Sequence, residues 1–564
     1  MNRLIKRMLE NRGLDIEKFR EISNPYYDKL KDIDALAVRL KEIHDDEIPI
    51  TIYPDFDMDG IASGDCFFAG LSELGFRVNL FIPNPSFGYG ITAPCVDYVM
   101  KMYPETKVII TCDTGITAFN AADYCREIGV ELIVTDHHTQ EGIVNADIIV
   151  DPMRADEEYS HPRICGAFVV YQILQYYADL YGNLFQQDQI RRLRVFAGIG
   201  TVSDVMPLLY ENRQVVLDAV NIMRFVYGDG GYDAVMSIPG SNAYRRAFFG
   251  LYNVAKVCES YGTIKSPDDI TEEFFGFYFA PMFNSIKRMN GDMVRAFGVF
   301  FADSSNADMN YLYKLNAARK ERERKEMQAI LDRDQPFAPF IYFSDADSGV
   351  LGLLANKLMS KTGMPVFVFR DDGEGAVNRF HGSGRAPDWY PCITRLSSHL
   401  SSIAGHEGAF GASVDNIDML TALVDFLHVD VPQAYSEADL IEAVPDFTIT
   451  TDWTGDTGID IELFDEFLHE IDQYRPFGNG FPAPSVLFTF TNNDVISWNQ
   501  LSGGKHLKLL FHNGFEALCW NQGDMAAEKD KCDKHAIVGR LKYSEYKGVV
   551  SIVFDGVFQE SKQI

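Results

Sequence analysis

The sequence lacks the features of a membrane-spanning protein and of a disulfide-stabilised one. No run approaches the roughly 18 uninterrupted apolar residues that a membrane span requires. The first residues, Met1–Gly13, alternate basic residues with short apolar pairs, so we expect no secretory signal. The nine cysteines are an odd number, are scattered and form no Cys-x-x-Cys pair. These absences predict a cytoplasmic protein with free thiols and no membrane contact.

Positive charge is also scarce. The chain has 51 lysines and arginines against 81 aspartates and glutamates, a formal net charge of -30. Phosphate backbones are held mainly by lysine and arginine, so this balance argues against a general nucleic-acid binder. It does not exclude a local basic groove, or an acidic pocket whose sign is reversed by bound metal ions.

The chain is long enough for several globular domains. Its 564 residues correspond to about three or four domains. A content of 46% apolar and 23% charged residues is ordinary for a globular protein. Short apolar runs alternate with helical patterns, which indicates βαβ units and a mostly parallel sheet. These runs are Ile48–Tyr53, Val108–Cys112, Glu131–Thr135 and Ile148–Val150.

The rest of the chain divides into further patterns. The alternating charges of Asp308–Asp334 predict an exposed linking helix with i,i+4 ion pairs. Residues 340–430 repeat the α/β pattern, and residues 446–472 are acidic. Strand-like pieces recur after Pro484 and predict a small β-barrel or sandwich.

Acidic and imidazole side chains follow the predicted strands where those strands end. The clusters are Asp55 with Asp57, Asp113, and Asp136-His137-His138. Because the carboxyl ends of parallel strands line one crevice, we expect these groups to lie together, with Asp204 closing the cluster. Carboxylates and imidazoles without thiolates favour Mn²⁺ or Mg²⁺ over structural zinc. Two such ions activate water and stabilise in-line phosphoryl displacement.

Each piece has a simpler interpretation when it is taken alone. An aspartate after a strand is most often a turn or helix-capping residue. The segment Asp55–Gly60 resembles an EF-hand calcium loop, but position 66, where that loop requires Glu, is Cys. Adjacent histidines are more often surface residues than ligands. Three strand-end clusters in one βαβ series, followed by Asp204, favour the metal site.

Four motifs stand in order along the chain: Asp55-Phe-Asp-Met-Asp-Gly60, Cys112-Asp-Thr-Gly-Ile116, Val134-Thr-Asp-His-His138 and Gly200-Thr-Val-Ser-Asp-Val-Met-Pro-Leu208. In order and spacing they resemble the motifs of the DHH phosphoesterases, most closely the RecJ-like single-strand-specific exonucleases. Segments outside the metal site extend the resemblance over nearly the whole chain. They are Phe81-Ile-Pro-Asn84 with Gly88-Tyr-Gly90, Pro281-Met-Phe-Asn284 to Arg288, Gly382-Ser-Gly-Arg385, Gly405-His406 and Pro476-Phe-Gly-Asn-Gly-Phe-Pro482.

The resemblance implies an α/β fold in three parts. These are a parallel-sheet DHH catalytic domain, a second α/β DHH-associated domain joined by a long helix, and a C-terminal OB-like β-barrel. We expect an N-terminal helical segment over 1–47, the catalytic domain over 48–300, the linking helix over 301–335, the associated domain over 336–435, and an acidic connector with the OB-like domain over 436–564.

The resemblance also implies roles for the metal-site residues. Two divalent ions, Mn²⁺ or else Mg²⁺, would be held by Asp55, Asp57, Asp113, His137 and Asp204. Asp113 would bridge the ions, and Asp59 would support the ligands. His138 would contact or protonate the scissile phosphate, and Asp136 would fix the orientation of the imidazoles beside it.

In the associated domain the resemblance implies a phosphate-binding group. Its members are Ser383, Gly384, Arg385 and His406, since Arg binds phosphate bidentately and a glycine-flanked backbone allows close approach. Further basic candidates nearby are Lys287, Arg288 and Arg379. Pro85 and Met282 stand where the family has arginines that read the terminal phosphate, which implies weaker dependence on a 5′-phosphate.

The implied activity is hydrolysis of single-stranded DNA from its 5′ end to mononucleotides, in DNA recombination, repair or replication. The protein would be a cytoplasmic monomer that binds single-stranded DNA, with a single-strand-binding protein or a helicase as further partners. Two alternatives stay open: a phosphodiesterase of oligonucleotides or cyclic dinucleotides from the same superfamily, and a non-catalytic replication scaffold. The OB-like end counts against the first, and the full ligand set counts against the second.

The C-terminal region offers aromatic and basic residues that suit single-strand binding, because OB-folds stack bases on aromatic rings. They are Trp498, Trp520, Tyr543, Tyr546, Lys505, Lys508, Lys542 and Lys547. The alternative, that these aromatic side chains form the core of the barrel, fits the sequence equally well.

Overall fold

A computed structural model describes most of the chain. The described residues are 3–21, 29–84, 88, 90–228, 230–371, 379–437, 446–450, 466–467, 470–512, 516–519, 523–530, 533–540, 551–554 and 558–560. Within these ranges, no helix is long and apolar enough to cross a membrane.

The first sheet contains the predicted βαβ units. Three helices precede it: α1 (Arg3–Asn11), α2 (Ile16–Glu21) and α3 (Ile33–Asp45). Strands and helices then alternate as β1 (Ile50–Pro54), α4 (Met58–Glu73), β2 (Val78–Leu80), α5 (Ala93–Met102), β3 (Val108–Cys112), α6 (Phe119–Ile128), β4 (Glu131–Thr135) and β5 (Ile148–Val150). All five strands are parallel, in the order β2-β1-β3-β4-β5. Every residue of β1 and β3 is buried, as expected for parallel strands covered on both faces.

A helical layer follows the sheet in the chain. It comprises α7 (Gly166–Tyr181), α8 (Leu184–Arg192), α9 (Arg194–Ser203), α10 (Tyr210–Tyr227), α11 (Gly231–Met236), α12 (Asn242–Ser260), α13 (Glu272–Phe274), α14 (Ala280–Arg288) and α15 (Met293–Phe301). Helices α7 and α9 pack on α4 and on each other, which places the end of α9 beside the sheet. A long helix, α16 (Ser305–Asp332), then leads to the next unit.

The second α/β unit has its own mixed sheet. Its elements are β6 (Ile341–Phe343), α17 (Ser348–Thr362), β7 (Val366–Asp371), β8 (Phe380–Arg385), α18 (Cys392–Leu396), β9 (Ser402–His406), β10 (Ala409–Val414) and α19 (Ile417–Glu437). The strand order is β6-β7-β8-β10-β9, and only β6 and β7 run parallel. Glu323 on α16 pairs with Lys357 on α17 at 2.7 Å and ties the long helix to this unit.

The C-terminal strands form two four-stranded sheets around one apolar core. They are β11 (Phe447–Thr450), β12 (Ser485–Thr491), β13 (Val495–Leu501), β14 (His506–Phe511), β15 (Glu516–Cys519), β16 (Lys534–Arg540), β17 (Ser551–Phe554) and β18 (Phe558–Glu560). The orders are β11-β12-β16-β18 and β13-β14-β15-β17. Over the described residues, no strand pairing closes the two sheets into the single barrel that the sequence predicts.

The N-terminal helices divide between two cores, whereas the sequence predicts one helical segment. Helix α1 buries Leu4 and Met8 against the C-terminal sheets, and Arg12 just after it pairs with Asp446 at 2.7 Å. Helix α3 buries its apolar face in the first core, beside α7. The local sequence pattern indicates helices correctly but contains no information on which distant core each one joins.

A buried polar network ties the loop after β5 to the helical layer. The hydroxyl of Tyr159 donates to Glu211 on α10 at 2.9 Å, and it accepts from the amide of Gln172 on α7 at 2.9 Å. All three residues are buried. The network therefore fixes the loop against the two helices that flank α9.

Replacing Tyr159 with Phe should destabilise the fold. The change leaves Glu211 and Gln172 without this buried partner, which costs about 1–3 kcal/mol of unfolding free energy. Urea denaturation measures the change in unfolding free energy, taken from the transition in which the first core unfolds. Tyr124→Phe, which removes an exposed hydroxyl bonded to Asp97, is the control and should alter stability by less than about 0.5 kcal/mol. Equal stability of the two variants would contradict the assigned network.

Candidate metal centre

The clusters predicted from the strand ends meet at one edge of the first sheet. The amide of Asp55 donates to the carbonyl of Cys112 at 3.1 Å, and the amide of Asp113 donates to the carbonyl of Thr135 at 3.0 Å. These bonds extend the strand ladders by one residue. They hold the two carboxylate-bearing residues level, side by side.

Asp57 caps the N-terminus of α4. Its Oδ1 accepts from the amides of Asp59 at 3.0 Å and Gly60 at 3.1 Å, a usual N-cap arrangement. From α14, Asn284 accepts from the amide of Met58 at 2.8 Å. The turn between β1 and α4 is therefore held both by its own cap and by a distant helix.

Asp113 is buried in an unusual backbone conformation. Its φ of 60° lies in the left-handed region that few non-glycine residues adopt. Gly166 packs directly on it, since a Cβ there would fall 2.6 Å from the Cβ of Asp113. The Oδ1 atom of Asp113 is buried and accepts no hydrogen bond from the described residues. An orphaned carboxylate oxygen of this kind is what a metal-ligating position requires.

His137 lies at the middle of the cluster. Its Nε2 is 3.0 Å from Oδ1 of Asp113, 3.7 Å from Oδ2 of Asp59 and 3.7 Å from Oδ2 of Asp204. Burial lowers the pKa of His137, so its ring is neutral at physiological pH, the form that binds metals. One neutral imidazole nitrogen facing three carboxylates suits Mn²⁺ or Mg²⁺.

Asp59 combines two roles in this arrangement. It accepts from the amides of Gly166 at 2.7 Å and Ala167 at 3.1 Å, at the N-terminus of α7. A Cβ on Gly200 would fall 2.2 Å from its Oδ1, so α9 can pass this closely only with glycine at that position. The carboxylate thus anchors α7 and adds negative charge beside His137.

The sequence-predicted ligands, together with Asp59 and His138, fall into three overlapping groups. Within each group, the candidate ligand atoms all lie within 4.8 Å of one another. The groups are Asp55 with Asp57 and Asp113, Asp59 with His137 and Asp204, and Asp113 with His137 and His138. Asp204 joins from the C-terminal end of α9, and the sheet edge supplies the others.

Burial raises the pKa of the clustered carboxyl groups. Burial, and then the nearby Asp57, raises the pKa of Asp55 from 3.8 to about 8. Burial, and then Asp59, raises the pKa of Asp204 from 3.8 to about 8 and that of Asp113 well above its usual range. Buried like charges at this spacing disfavour ionisation. A divalent cation would remove that penalty.

Asp136 and His138 form a partly buried ion pair beside the ligands. Nδ1 of His138 lies 2.8 Å from Oδ1 of Asp136, which also accepts from the amide of His137 at 2.8 Å. Burial opposes both charges, but the hydrogen bond between the side chains and the attraction between their charges together outweigh it. The pKa of His138 rises to about 9, and the pKa of Asp136 falls below its usual value. His138 is therefore a protonated donor near neutral pH.

Asp151 is a buried acid of this region to which the sequence analysis gave no role. It follows β5 in the same way that the other clusters follow their strands, and that position was its signal. Its Oδ1 accepts from the amide of Met153 at 2.7 Å. Burial, and then Asp136, raises the pKa of Asp151 to about 8. A buried acidic residue therefore also follows β5, one strand beyond those that the motifs indicate.

Three of the four phosphate-binding candidates, Ser383, Gly384 and Arg385, lie on β8, and His406 ends β9. A Cβ on Gly384 would fall 2.1 Å from the ring of Phe410, so only glycine fits there. Beside it, Ser383 pairs with Gly411 of β10. Nη1 of Arg385 donates to the carbonyl of Gly384 at 2.7 Å, which folds the guanidinium back along its own strand.

Arg288 lies where the two α/β units meet. A Cβ on Gly349, in α17, would fall 2.7 Å from its carbonyl oxygen. Burial lowers the pKa of Arg288, and the charges of Arg319 and Arg385 lower it further, while Asp57 acts in the opposite direction. The guanidinium is thus within electrostatic reach of both the metal cluster and β8.

Of the other predicted basic positions, Lys287 lies beside the metal cluster. Its Nζ is 4.2 Å from the centroid of the Phe56 ring. Its charge partly opposes the rise in the pKa of Asp55 and Asp57.

Arg379 and Met282 have other surroundings. Arg379 is exposed, and its Nε lies 3.6 Å from Oδ1 of Asp415. Met282 is buried in the first core and offers no charge. The side chain of His406 and the residue Pro85 lie outside the described residues.

Of the four aromatic candidates in the C-terminal region, Trp498 is the one that lies within the described residues. The ring of Trp498 lies 6.0 Å from that of Phe490 and 5.1 Å from that of His535, packed against the core between the sheets. The core interpretation is therefore favoured for Trp498. Lys508 pairs with Glu516 at 2.7 Å. The remaining aromatic and lysine candidates other than Lys505 lie outside the described residues: Trp520, Tyr543, Tyr546, Lys542 and Lys547.

Two family models match the chain. The DHH family, N-terminal domain, matches residues 49–195, and the RecJ OB domain matches residues 456–555. The first range covers the whole first sheet and every strand-end cluster described above. The second covers most of the two C-terminal sheets.

Curated relatives are about one quarter identical to the chain. The "Single-stranded-DNA-specific exonuclease RecJ" of Thermus thermophilus is 26% identical over 511 residues, covering 88% of this chain and 67% of the relative. The protein of the same name from Bacillus subtilis is 24% identical over 575 residues, covering 96% of this chain and 66% of the relative. The chain thus spans about two thirds of the length of these relatives.

A solved structure shows the same fold. The crystal structure of RecJ in complex with Mn²⁺ from Thermus thermophilus has a TM-score of 0.72 at 20% identity, covering 100% of this chain and 77% of that one. The α/β architecture expected from the sequence is therefore confirmed, except that the C-terminal strands form two sheets over the described residues.

The pKa shifts predict how pH and metal together affect stability. Asp55 and Asp204 have pKa values of about 8 in the folded protein, against 3.8 ordinarily, so the folded state binds more protons between these values. Without metal, their stabilising contribution is full below about pH 4 and is lost as pH rises through about 8. A bound ion replaces those protons, so the rise in Tm caused by Mn²⁺ should grow from about pH 6 to about pH 9.

Calorimetry in EDTA and in Mn²⁺ across this pH range measures the rise in Tm that Mn²⁺ causes at each pH. Asp204→Asn removes one titrating ligand and should show a smaller, flatter Mn²⁺ effect. Asp179→Asn alters an exposed carboxylate near Arg191 and should match the unchanged protein. A Mn²⁺ effect that is the same at every pH would contradict the prediction.

Proposed function

The chain is a RecJ-like member of the DHH family, and we propose that it is a metal-dependent exonuclease that hydrolyses single-stranded DNA. In this proposal it releases mononucleotides from the 5′ end, in DNA repair, recombination or replication. The observation that carries the proposal is the set of carboxylates around Nε2 of His137 at the sheet edge. The proposed substrate is that of the relatives, which are named single-stranded-DNA-specific exonucleases.

Two divalent ions, with Mn²⁺ preferred, are part of the proposal. Asp55 and Asp57 would help hold one ion and His137 and Asp204 the other, with Asp113 within reach of both sets. When bound, such ions lower the pKa of a water molecule and neutralise phosphate charge. The Oδ1 of Asp113 supports this assignment, because it is buried, accepts no hydrogen bond from the described residues, and has Nε2 of His137, another proposed ligand atom, at 3.0 Å.

His138 is proposed to donate a proton to the leaving 3′-oxygen. Water forms the new bond to phosphorus and releases a proton to the solvent, the bond to the 3′-oxygen breaks, and that oxygen takes the proton of His138, which is then reprotonated from the solvent. The His138 side chain is 37% exposed while Asp136 below it is buried, so the ring is both charged and accessible. A general acid of this kind contributes about 10²–10⁴-fold to the rate.

The 5′ end is proposed to bind at the meeting of the two α/β units. Ser383 and Arg385 offer a hydroxyl and a guanidinium, the buried Gly384 between them packs against Phe410, and Arg288 lies close to Arg385. Since Met282 is a core residue, recognition of the terminal phosphate relies on fewer charges here. The dependence on a 5′-phosphate should therefore be weaker than in relatives with the complete arginine set.

The C-terminal sheets are proposed to bind the strand beyond the cleavage site. The RecJ OB domain match supports this role, since OB domains bind single strands in a shallow basic groove. The same match favours a long single strand over a cyclic dinucleotide as the substrate. The protein would act as a monomer on strands exposed by a helicase or a single-strand-binding protein.

Substitutions at His137 and His138 should separate metal binding from proton donation. His137→Ala should lower Mn²⁺ affinity and activity together, because it removes a ligand. His138→Ala should keep Mn²⁺ binding and lose about 10²–10⁴-fold in kcat. Mn²⁺ titration and release of nucleotides from labelled single-stranded DNA provide the two measurements. His44→Ala, on α3 outside the cluster, is the control, and normal activity of His137→Ala would reject the proposal.

Removal of the Arg385 guanidinium should reduce the remaining preference for a phosphorylated 5′ end. Charge-assisted hydrogen bonds to phosphate contribute roughly 1.5–3 kcal/mol, so the preference should fall about 10- to 100-fold at most in Arg385→Ala. Initial rates on strands with and without a 5′-phosphate measure it. Arg379→Ala removes an exposed arginine from the same unit and should leave the preference unchanged. Digestion from the 3′ end would show that the proposed polarity is wrong.

A further inference from the structure

The turn that follows Asp204 is held by a segment from the far end of the chain. Helix α9 ends with the amide of Val205 donating to Val202 at 3.2 Å and the amide of Met206 donating to Thr201 at 3.0 Å. This is the hydrogen-bond pattern of a Schellman helix end, in which the residue after the C-cap has a left-handed backbone. Glycine is the usual residue there, since it adopts that backbone without strain.

Val205 occupies the glycine position of this turn. Its φ is 54°, and its side chain is 65% exposed. A β-branched residue with this backbone is strained. Because the side chain is exposed, its packing contacts do little to hold the residue in place. Such a conformation persists only when surrounding contacts fix it. Asp204, a candidate metal ligand, immediately precedes it and depends on the same turn.

Asn479 supplies the contacts that fix the turn. Its Nδ2 donates to the carbonyl of Val205 at 2.9 Å, and its own carbonyl accepts from the amide of Leu208 at 2.7 Å. These two bonds bracket Met206 and Pro207, the residues that directly follow the strained one. Gly478 packs against Leu208 closely enough that a Cβ would fall 2.8 Å from its Cδ1.

The segment that carries Asn479 is itself rigidly held. The buried guanidinium of Arg213, on α10, donates to the carbonyls of Arg475 at 2.8 Å and Pro476 at 2.9 Å. The buried carboxylate of Glu272 accepts from the side chain of Arg475 at 2.6 Å and from the amide of Phe477 at 2.9 Å. The segment can therefore act as a fixed support for the turn.

We propose that Asn479 is a positioning residue for the metal centre, clamping the strained turn at Val205 so that Asp204 is held beside His137. The inference rests on the proposed metal site. It gives the segment leading to the C-terminal sheets a direct effect on metal affinity, separate from any contact with substrate. Asn479 touches none of the proposed ligands in the contacts described, and it acts through the backbone of Val205.

Titration of the full chain with Mn²⁺ tests the proposal without any assay of activity. The EPR signal of the free ion measures how much Mn²⁺ is bound. Asn479→Ala should weaken binding of the ion held by Asp204 about three- to tenfold, the effect expected for one lost hydrogen bond. Asn499→Ala removes an exposed amide bonded to Ser497 on β13 and should bind as the unchanged protein does. Adding Val205→Gly to Asn479→Ala should restore most of the affinity, because glycine needs no clamp.

The outcomes separate this inference from the proposed function. An unchanged protein that binds no Mn²⁺ would overturn both. Mn²⁺ binding to the unchanged protein with equal affinity in Asn479→Ala would overturn the positioning role alone. A loss that Val205→Gly fails to relieve, or an equal loss in Asn499→Ala, would also overturn it, since the effect would not pass through the turn. Circular dichroism confirms that each variant is folded.

Discussion

The crowding of buried negative charge at one sheet edge is the constraint on which the rest of the structure depends. The carboxyls of Asp55, Asp113 and Asp204 all have raised pKa values because burial and their neighbours oppose ionisation. The fold partly offsets this repulsion with backbone dipoles. The N-terminus of α4 donates to Asp57, and the N-terminus of α7 donates to Asp59, so two helix ends place partial positive charge at the cluster. Divalent ions would complete the neutralisation.

That electrostatic arrangement requires close packing of the backbone. Helix α7 reaches Asp113 only because residue 166 is Gly, and α9 passes Asp59 only because residue 200 is Gly. For α7, the helix end that donates to Asp59 is thus also the one that a side chain at residue 166 would push away. The buried bonds of Tyr159 to Glu211 and Gln172 hold this helical layer in place. Charge, glycine placement and helix packing are therefore parts of one arrangement.

The sequence predicts this site well wherever local information is sufficient. The βαβ pattern of the sequence shows that successive strands run parallel. That pattern alone therefore places the carboxylates that directly follow the strands at one edge of the sheet. Contacts between distant residues cannot be inferred in this way. Asp59 binds an amide 107 residues away, Asn479 binds a carbonyl 274 residues away, and Arg12 donates to a carbonyl 470 residues away. Spacing alone also cannot decide whether Trp498 stacks on substrate or joins the core.

The net charge of -30 and a polyanionic substrate are compatible once the positions of the charges are considered. Arg288 and Arg385 are largely buried where the two α/β units meet, and a charge in such a low-dielectric site acts more strongly than one on the surface. Away from this junction, the excess of carboxylates repels phosphates. A strand would then be attracted along one route only, towards the arginines and the metal cluster. The acidic composition that argues against general nucleic-acid binding would in this way restrict the proposed substrate to the junction of the two units.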